Sequence, residues 1–252
     1  MTRERAPSMT PTDANETQTA PAEGVLRRLR ARTDQHETAR RQVFDVLVKA
    51  VPFDGWTTLA LREAAEDAGL SSSMIALIFP GGVRDAIDLF AEDADIAMLE
   101  AMTSDDFAQM KIREKVAFAI RARLNAIEPH KEAARRAAAT LALPPYAATG
   151  ARLVWRTADH IWAGLGDTST DYNYYTKRAT LSAVWTSAFT CWIGDESDNH
   201  TRTDDFIDQR IENVMQIEKA KKQWRDLNID PGKFVTDQLI PGLARLRYGR
   251  GS

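Results

Sequence analysis

Little in this 252-residue chain crosslinks or punctuates it. The single cysteine, Cys191, has no partner for an internal disulfide, which fits a reducing compartment. Glycine (13) and proline (10), the residues that punctuate strands and turns, are scarce. No apolar run approaches the roughly 18 residues that a membrane-spanning helix needs. Positive charge is not in excess either: 33 Lys and Arg stand against 36 Asp and Glu, a formal net charge of -3. Neutralising phosphates is therefore not the chain's main task. What is abundant is alanine, 38 residues or 15% of the chain. The best helix former in quantity predicts an all-α protein, and the length suits one sizeable domain or two small ones.

Catalytic signatures are missing too. There is no Gly-rich phosphate loop, no G-x-S-x-G elbow and no H-E-x-x-H. None of His36, His130, His160 and His200 has a Glu three residues before it, the unit from which helical di-iron sites are built. Asp159 and His160 are adjacent, but neighbours on a helix diverge by about 100° and do not share a face. Cys191, in FTCWIG, is expected to be a buried, inert thiol. These observations predict a protein that is not an enzyme and holds no metal or cofactor.

Residues 1–32 are expected to be a disordered tail, because the first 24 are polar, Pro- and Thr-rich and nearly free of large apolar side chains. Glu4, Asp13, Glu16 and Glu23 are unlike a mitochondrial transit peptide, and there is no apolar core for a secretory signal. Residues 33–227 are expected to form one helical domain. Val43, Leu47, Ala50 and Val51 mark a helix that Pro52 should end. Thr57 or Thr58 caps the next helix, whose stripe is Leu61, Ala64, Ala65 and Ala68. Gly69 stops it, and Ser71 caps a recognition-type helix to Phe79. This is a helix-turn-helix, and with the helix carrying Ile87, Phe90, Ala91, Ala94 and Met98 it resembles the amino-terminal unit of TetR-type regulators. Between Arg62 and Arg84, however, there is no Lys or Arg, and Trp56 to Phe90 holds two cations against five acids. Such a surface repels a duplex, and no nucleic-acid partner is expected.

Ile112, Val116, Ile120, Leu124 and Ile127 form the next stripe, and an alanine-rich helix runs from Lys131 to Ala142. Residues 151–197 then concentrate aromatic side chains. Trp155, Trp162, Trp185 and Trp192 are four of the six tryptophans, and Tyr172, Tyr174 and Tyr175 are three of the five tyrosines. Ala151 to Leu165 is predicted as one helix. Ser169 or Thr170 caps another, whose Leu181, Trp185, Phe189 and Trp192 recur at helical spacing. Lining a cavity and filling a core call for the same residues at Leu181, Trp185 and Phe189. Asp171, Tyr174 and Tyr175 lie in the polar opening of the helix, where clustered aromatics favour a protein partner.

The segment GDTSTDYNYYTKRATLSAVW, with Asp171, Tyr172, Asn173, Tyr174, Tyr175, Thr176, Lys177 and Arg178 in sequence, resembles the signature of the COQ9 family of coenzyme Q biosynthesis accessory proteins. Asp159, Ile161 and Trp162, GWT at Gly55 to Thr57 and GLSS at Gly69 to Ser72 also match, so the resemblance runs from about residue 40 to 220. It implies a TetR-like bundle with an N-terminal helix-turn-helix unit and a C-terminal ligand-binding bundle, whose ligand is an isoprenoid quinone intermediate or a phospholipid. It also implies presentation of that lipid to the di-iron demethoxyubiquinone hydroxylase at a membrane. The implied partner contacts are Asp159, Ile161, Asp171, Tyr174 and Tyr175; Tyr174 replaces the Trp of many relatives and keeps an aromatic anchor. The lipid contacts expected from the aromatic stripes are Trp155, Trp162, Leu181, Trp185 and Phe189.

Residues 228–252 pair apolar Phe234, Leu239, Ile240, Leu243 and Leu246 with Lys233, Arg245, Arg247 and Arg250. That pattern suits an anionic lipid surface, with an ordinary docked terminal helix as the alternative. The expectation is a cytoplasmic bacterial protein, peripheral to the inner membrane, forming a homodimer through its last two bundle helices. A ligand-sensing TetR-type repressor is the alternative function.

Overall fold

The computed structural model describes residues 20–30, 36–170 and 172–226, leaving aside the side chains of 217, 218 and 220–226. Among the described residues there are eleven α-helices and no strand: α1 (Pro21–Arg30), α2 (Glu37–Asp54), α3 (Thr58–Asp67), α4 (Ser72–Ile78), α5 (Val83–Ala101), α6 (Asp105–Gln109), α7 (Ile112–Ile127), α8 (Lys131–Leu141), α9 (Ala147–Gly164), α10 (Tyr172–Ile193) and α11 (Thr201–Asp226). The all-α expectation is met. Asp171 and the whole of 228–252, with the proposed membrane contacts Phe234, Leu239, Ile240, Leu243 and Leu246, lie outside the described residues.

Helix α1 corrects the expectation of a tail through residue 32. Pro21 opens it where a missing N–H costs nothing, and Ala22, Val25 and Leu26 are buried against α5 and α9. Its three large apolar residues, Val25, Leu26 and Leu29, are too few to announce a helix in the sequence, because the face they need is supplied by distant segments. Helix α2 also departs from expectation, running past Pro52 to Asp54. The proline removes a single donor, and the chain leaves the helix only at Gly55, whose φ of 71° suits glycine.

In the helix-turn-helix, Thr57 caps α3 by accepting from the Ala60 N–H at 3.1 Å. Gly69 turns the chain at a φ of 75°. Ser71 precedes α4 without a side-chain cap, its hydroxyl lying 2.8 Å from that of Ser73 instead. Trp56 ties this unit to the bundle: its indole N–H donates to the Ala133 carbonyl of α8 at 2.9 Å, and its ring meets Phe90 of α5. Helices α5, α7, α8, α9 and α10 then surround the functional region, and α11 packs on α7 and α10.

Helix α9 begins four residues earlier than the sequence implied, at Ala147, and Gly164 belongs to its last turn rather than stopping it. A Cβ at Gly164 would lie 2.7 Å from Met102 Cε and 3.1 Å from Leu99 Cδ2. The glycine is thus a site of close α9–α5 approach.

Candidate functional site

Where α5, α7, α8, α9 and α10 converge, a cavity of about 540 Å³ opens among largely apolar walls. Its origin is local. Ala91 and Ala94 of α5, Ala134, Ala137 and Ala138 of α8, and Gly150 and Ala151 of α9 all line it. Alanine sustains a helix but is too short to reach across to the next one, so helices held apart by Phe90, Leu153, Trp185 and Phe189 leave space between them. The rim carries Ala142, Ala147, Ala151, Thr186 and Thr190, which are exposed. The deeper wall carries Arg123, Thr157 and Trp185, all buried. A space of this size and lining belongs with drug-sized apolar ligands.

Of the aromatic residues expected to contact lipid, Trp185 and Phe189 line this cavity, with their rings 5.5 Å apart. Trp155, Trp162 and Leu181 do not. Leu181 is buried in the core. Trp162 donates its indole N–H to the Lys177 carbonyl at 3.2 Å, and Trp155 leans on Tyr175, with ring centroids 6.4 Å apart. The reason is rotational: both tryptophans sit on the face of α9 that meets the start of α10, turned by roughly 80° or more from the cavity-facing Leu153, Val154 and Thr157.

The deep end of the cavity is a polar cluster that sequence inspection did not anticipate. Asp95 of α5 is wholly buried. It accepts from Arg123 Nε at 2.7 Å and from the Thr157 hydroxyl at 3.0 Å, and lies 3.0 Å from His160 Nδ1. Arg156 Nε approaches its other oxygen at 3.5 Å. Burial alone would raise the Asp95 pKa, but the charge of Arg123, the His160 hydrogen bond and the charges of His160 and Arg156 outweigh it and hold the carboxyl well below its usual range. An ionised carboxylate only accepts, so His160 Nδ1 carries the hydrogen. The Arg123 guanidinium also stacks over the Trp185 ring at 4.4 Å. The sequence offered one faint signal, Asp95 at a position facing the same way as Met98 and Leu99, but its partners lie on α7 and α9.

A second feature occupies the surface where α9 meets α10. Tyr175 is 62% exposed and Tyr172 79%. Tyr174 packs edge-on to Tyr175 at 5.1 Å and donates its hydroxyl to Asp159 at 3.3 Å. Burial and the Asp159 charge push the Tyr174 phenol above its usual pKa, keeping it a donor. The two cations of the motif face inward. Arg178 is 3% exposed, binding Asp159 at 2.6 Å and Asp167 at 3.1 Å. Lys177 binds Asp167 and the Ser169 hydroxyl at 2.6 and 2.8 Å. Ser169 thus fastens the loop instead of capping α10. Burial works to raise Asp167, and hydrogen bonds from Lys177, Ser169 and Arg178 override it, taking the pKa down to about 2.

Ile161, expected in the partner patch, is a correction. It is wholly buried, because it shares a face of α9 with Thr157, Ala158 and Gly164, which are buried too. Asp159 and His160 diverge as their adjacency required, one to Arg178 and the other to Asp95. Cys191, expected to be buried, is half-buried in a groove against α11. Helix α4 presents Ser72, Ser73, Ala76 and Leu77 outward without a cation. Among the described residues no group of three or more His, Cys, Asp and Glu is placed to hold a metal ion, and no helix is long and apolar enough to cross a membrane.

The model of the COQ9 family matches residues 147–218, which cover α9, α10 and most of α11. The ubiquinone biosynthesis protein COQ9, mitochondrial, of Drosophila melanogaster is 26% identical over 216 residues, 82% of this chain and 66% of the relative. The protein of the same name from Homo sapiens is 26% identical over 197 residues, 75% of this chain and 62% of the relative. The chain thus spans less than two thirds of the length of these relatives. Among solved structures, a TetR transcriptional regulator from Nitrosomonas europaea superposes with a TM-score of 0.58 at 20% identity, covering 70% of this chain and 98% of the regulator. At that identity the likeness concerns the fold.

Proposed function

The COQ9-family model matches residues 147–218, and from that match we propose that the chain is a non-enzymatic, lipid-binding accessory protein of ubiquinone biosynthesis. It holds an isoprenoid quinone intermediate and presents it to the di-iron demethoxyubiquinone hydroxylase at a membrane surface, in a bacterium the inner membrane. The observation that carries this reading is the alanine-walled cavity with Trp185 and Phe189 on its lining. A prenylated quinone is nearly insoluble in water, and its carrier must supply apolar walls and few polar groups. The family match supports the reading because it covers the two helices that contribute both a wall of the cavity and the exposed aromatic patch.

The partner contact is Tyr174 and Tyr175 with Asp159 beneath them and Trp155 alongside; Asp171 adjoins in sequence. The membrane contact is the basic, apolar segment with Phe234, Leu239, Ile240, Leu243 and Leu246. Deleting residues 231–252 is expected to reduce sedimentation with anionic liposomes, and an unaffected truncated protein removes the membrane role from that segment. The repressor alternative shares the TetR-like fold but lacks cations on α4 and its flanks.

Mass spectrometry of an organic extract of the purified protein tests the main reading. A prenylated quinone or its precursor in stoichiometric amount is the expected result. Lipid-free protein that binds a defined DNA operator in a salt-sensitive manner would establish the repressor instead.

A further inference from the structure

The cavity is not uniform along its length, and its gradient has a direction. The rim is open and lined by alanine and threonine, the middle is apolar, and the deep end carries one cationic side chain, Arg123, 5% exposed. That guanidinium is held on two of its three nitrogens. Nε donates to Asp95 at 2.7 Å and Nη2 to the Ala91 carbonyl at 3.3 Å, while Nη1 has no protein partner among the described residues. The plane is fixed from one side by the Trp185 ring, so the remaining donor is preorganised rather than free to swing. Nη1 belongs to a residue that lines the cavity, so this donor is open to an acceptor on whatever occupies that space.

We propose that Arg123 is the head-group determinant of the cavity, donating through Nη1 to a neutral carbonyl oxygen on a ligand that enters head first with its apolar tail leading back to the rim. This rests on the lipid-carrier reading above and deepens it. The charge balance selects a neutral head over an anion. Arg123 pairs with the buried Asp95, Arg156 pairs with Asp88 and reaches Asp95, and a third arginine, Arg152, binds Asp88 with a side chain that is 54% exposed, so the surplus cation lies at the surface and not at the deep end of the cavity. A carboxylate or phosphate would arrive in a desolvated space whose positive charge is already spoken for. A carbonyl oxygen asks only for a hydrogen bond. Two kinds of molecule offer this chemistry: a prenylated quinone, and an acyl or prenyl ester. The rest of the cluster positions the donor. Thr157 and His160 fix the Asp95 carboxylate that in turn aims Nε; they are positioning residues that work through Arg123.

Displacement of Nile red from the delipidated full-length protein by four ligands built on a fifteen-carbon isoprenoid skeleton tests the proposal. These are a farnesylated benzoquinone, farnesyl acetate, the saturated hydrocarbon farnesane, and farnesoic acid at pH 8. At least one neutral carbonyl ligand is expected to displace the dye at roughly tenfold lower concentration than the hydrocarbon or the acid, the value of one hydrogen bond to a charged donor. Stronger displacement by the quinone assigns the ring as the natural head, and stronger displacement by the acetate assigns an ester lipid. In Arg123→Lys, which keeps a countercharge for Asp95 but loses the fork, the preference for a carbonyl ligand over farnesane is expected to fall to within about twofold. Should that variant unfold, Thr157→Val, which loosens the carboxylate that aims Arg123, is expected to reduce the ratio of carbonyl-ligand to farnesane affinity. Equal displacement by quinone, acetate and farnesane in the unaltered protein overturns the head-group site and leaves the carrier reading intact. Preference for farnesoic acid overturns the neutral-head assignment. Failure of all four to displace the dye overturns the carrier reading itself.

Discussion

Two carboxylates anchor the functional region from opposite sides, and each couples stability to acid. Asp167 is taken from its usual 3.8 down to about 2 by Lys177, Ser169 and Arg178 against the opposing effect of burial, and Asp95 is lowered further still. A carboxyl whose folded pKa is depressed binds protons first in the unfolded chain. Its stabilising contribution is therefore complete above about pH 4 and lost as the pH falls toward 2. Unfolding followed by circular dichroism is expected to show this decline, and Asp167→Asn, less stable than the unaltered protein at pH 7, is expected to lose less over the same interval. On the surface, Tyr175 is 62% exposed and packs against the rings of Trp155 and Tyr174. Tyr175→Lys is expected to change unfolding free energy by no more than about 0.5 kcal/mol while weakening capture of the hydroxylase at least tenfold in surface plasmon resonance, the scale of an aromatic anchor. Loss of the fold in that variant would make Tyr175 a structural residue.

Among the elements, α1 shows how a helix forms without a strong signal of its own. Its Val25 and Leu26 are buried only because α5 and α9 provide the complementary surface. Each such side chain contributes about 1.5–3 kcal/mol, so deleting residues 1–31 is expected to cost about 4 kcal/mol and lower the melting temperature by about 10 °C. A melting temperature within 2 °C of the full chain would show that α1 is dispensable. Helix α4 makes the opposite point. Its position in a helix-turn-helix was legible from Thr57, Gly69 and Ser71, and so was its lack of cations, because charge at consecutive positions does not depend on tertiary contacts. The α9–α10 junction was legible only in part. The aromatic cluster of Tyr172, Tyr174 and Tyr175 was evident, but the inward turn of Lys177 and Arg178 to Asp159 and Asp167 depends on how two helices and a loop meet.

At the scale of the molecule, the alanine content acquires a purpose beyond helix formation. Alanines scattered over α5, α8 and α9 converge on one space, and filling it is expected to exchange ligand capacity for packing. Ala137→Leu, at a buried lining position, is expected to leave stability unchanged or raise it by about 1 kcal/mol while lowering co-purifying lipid at least fivefold by mass spectrometry. Unchanged lipid content would place the ligand elsewhere.

The sequence by itself determined the helical class, the helix-turn-helix and its lack of cations, and the exposed aromatic motif with its family resemblance. Each of these rests on spacing and composition within a short window, which local backbone geometry converts directly into faces and caps. Only the tertiary structure decided which aromatics line a cavity and which face elsewhere: Trp185 and Phe189 but not Trp155, Trp162 or Leu181, with Ile161 in the core. It alone joined Asp95, Arg123, Thr157 and His160 into one buried cluster. Those outcomes depend on the rotation of helices about their own axes and on contacts between residues 28 to 65 positions apart, and periodicity within one helix carries no information about either.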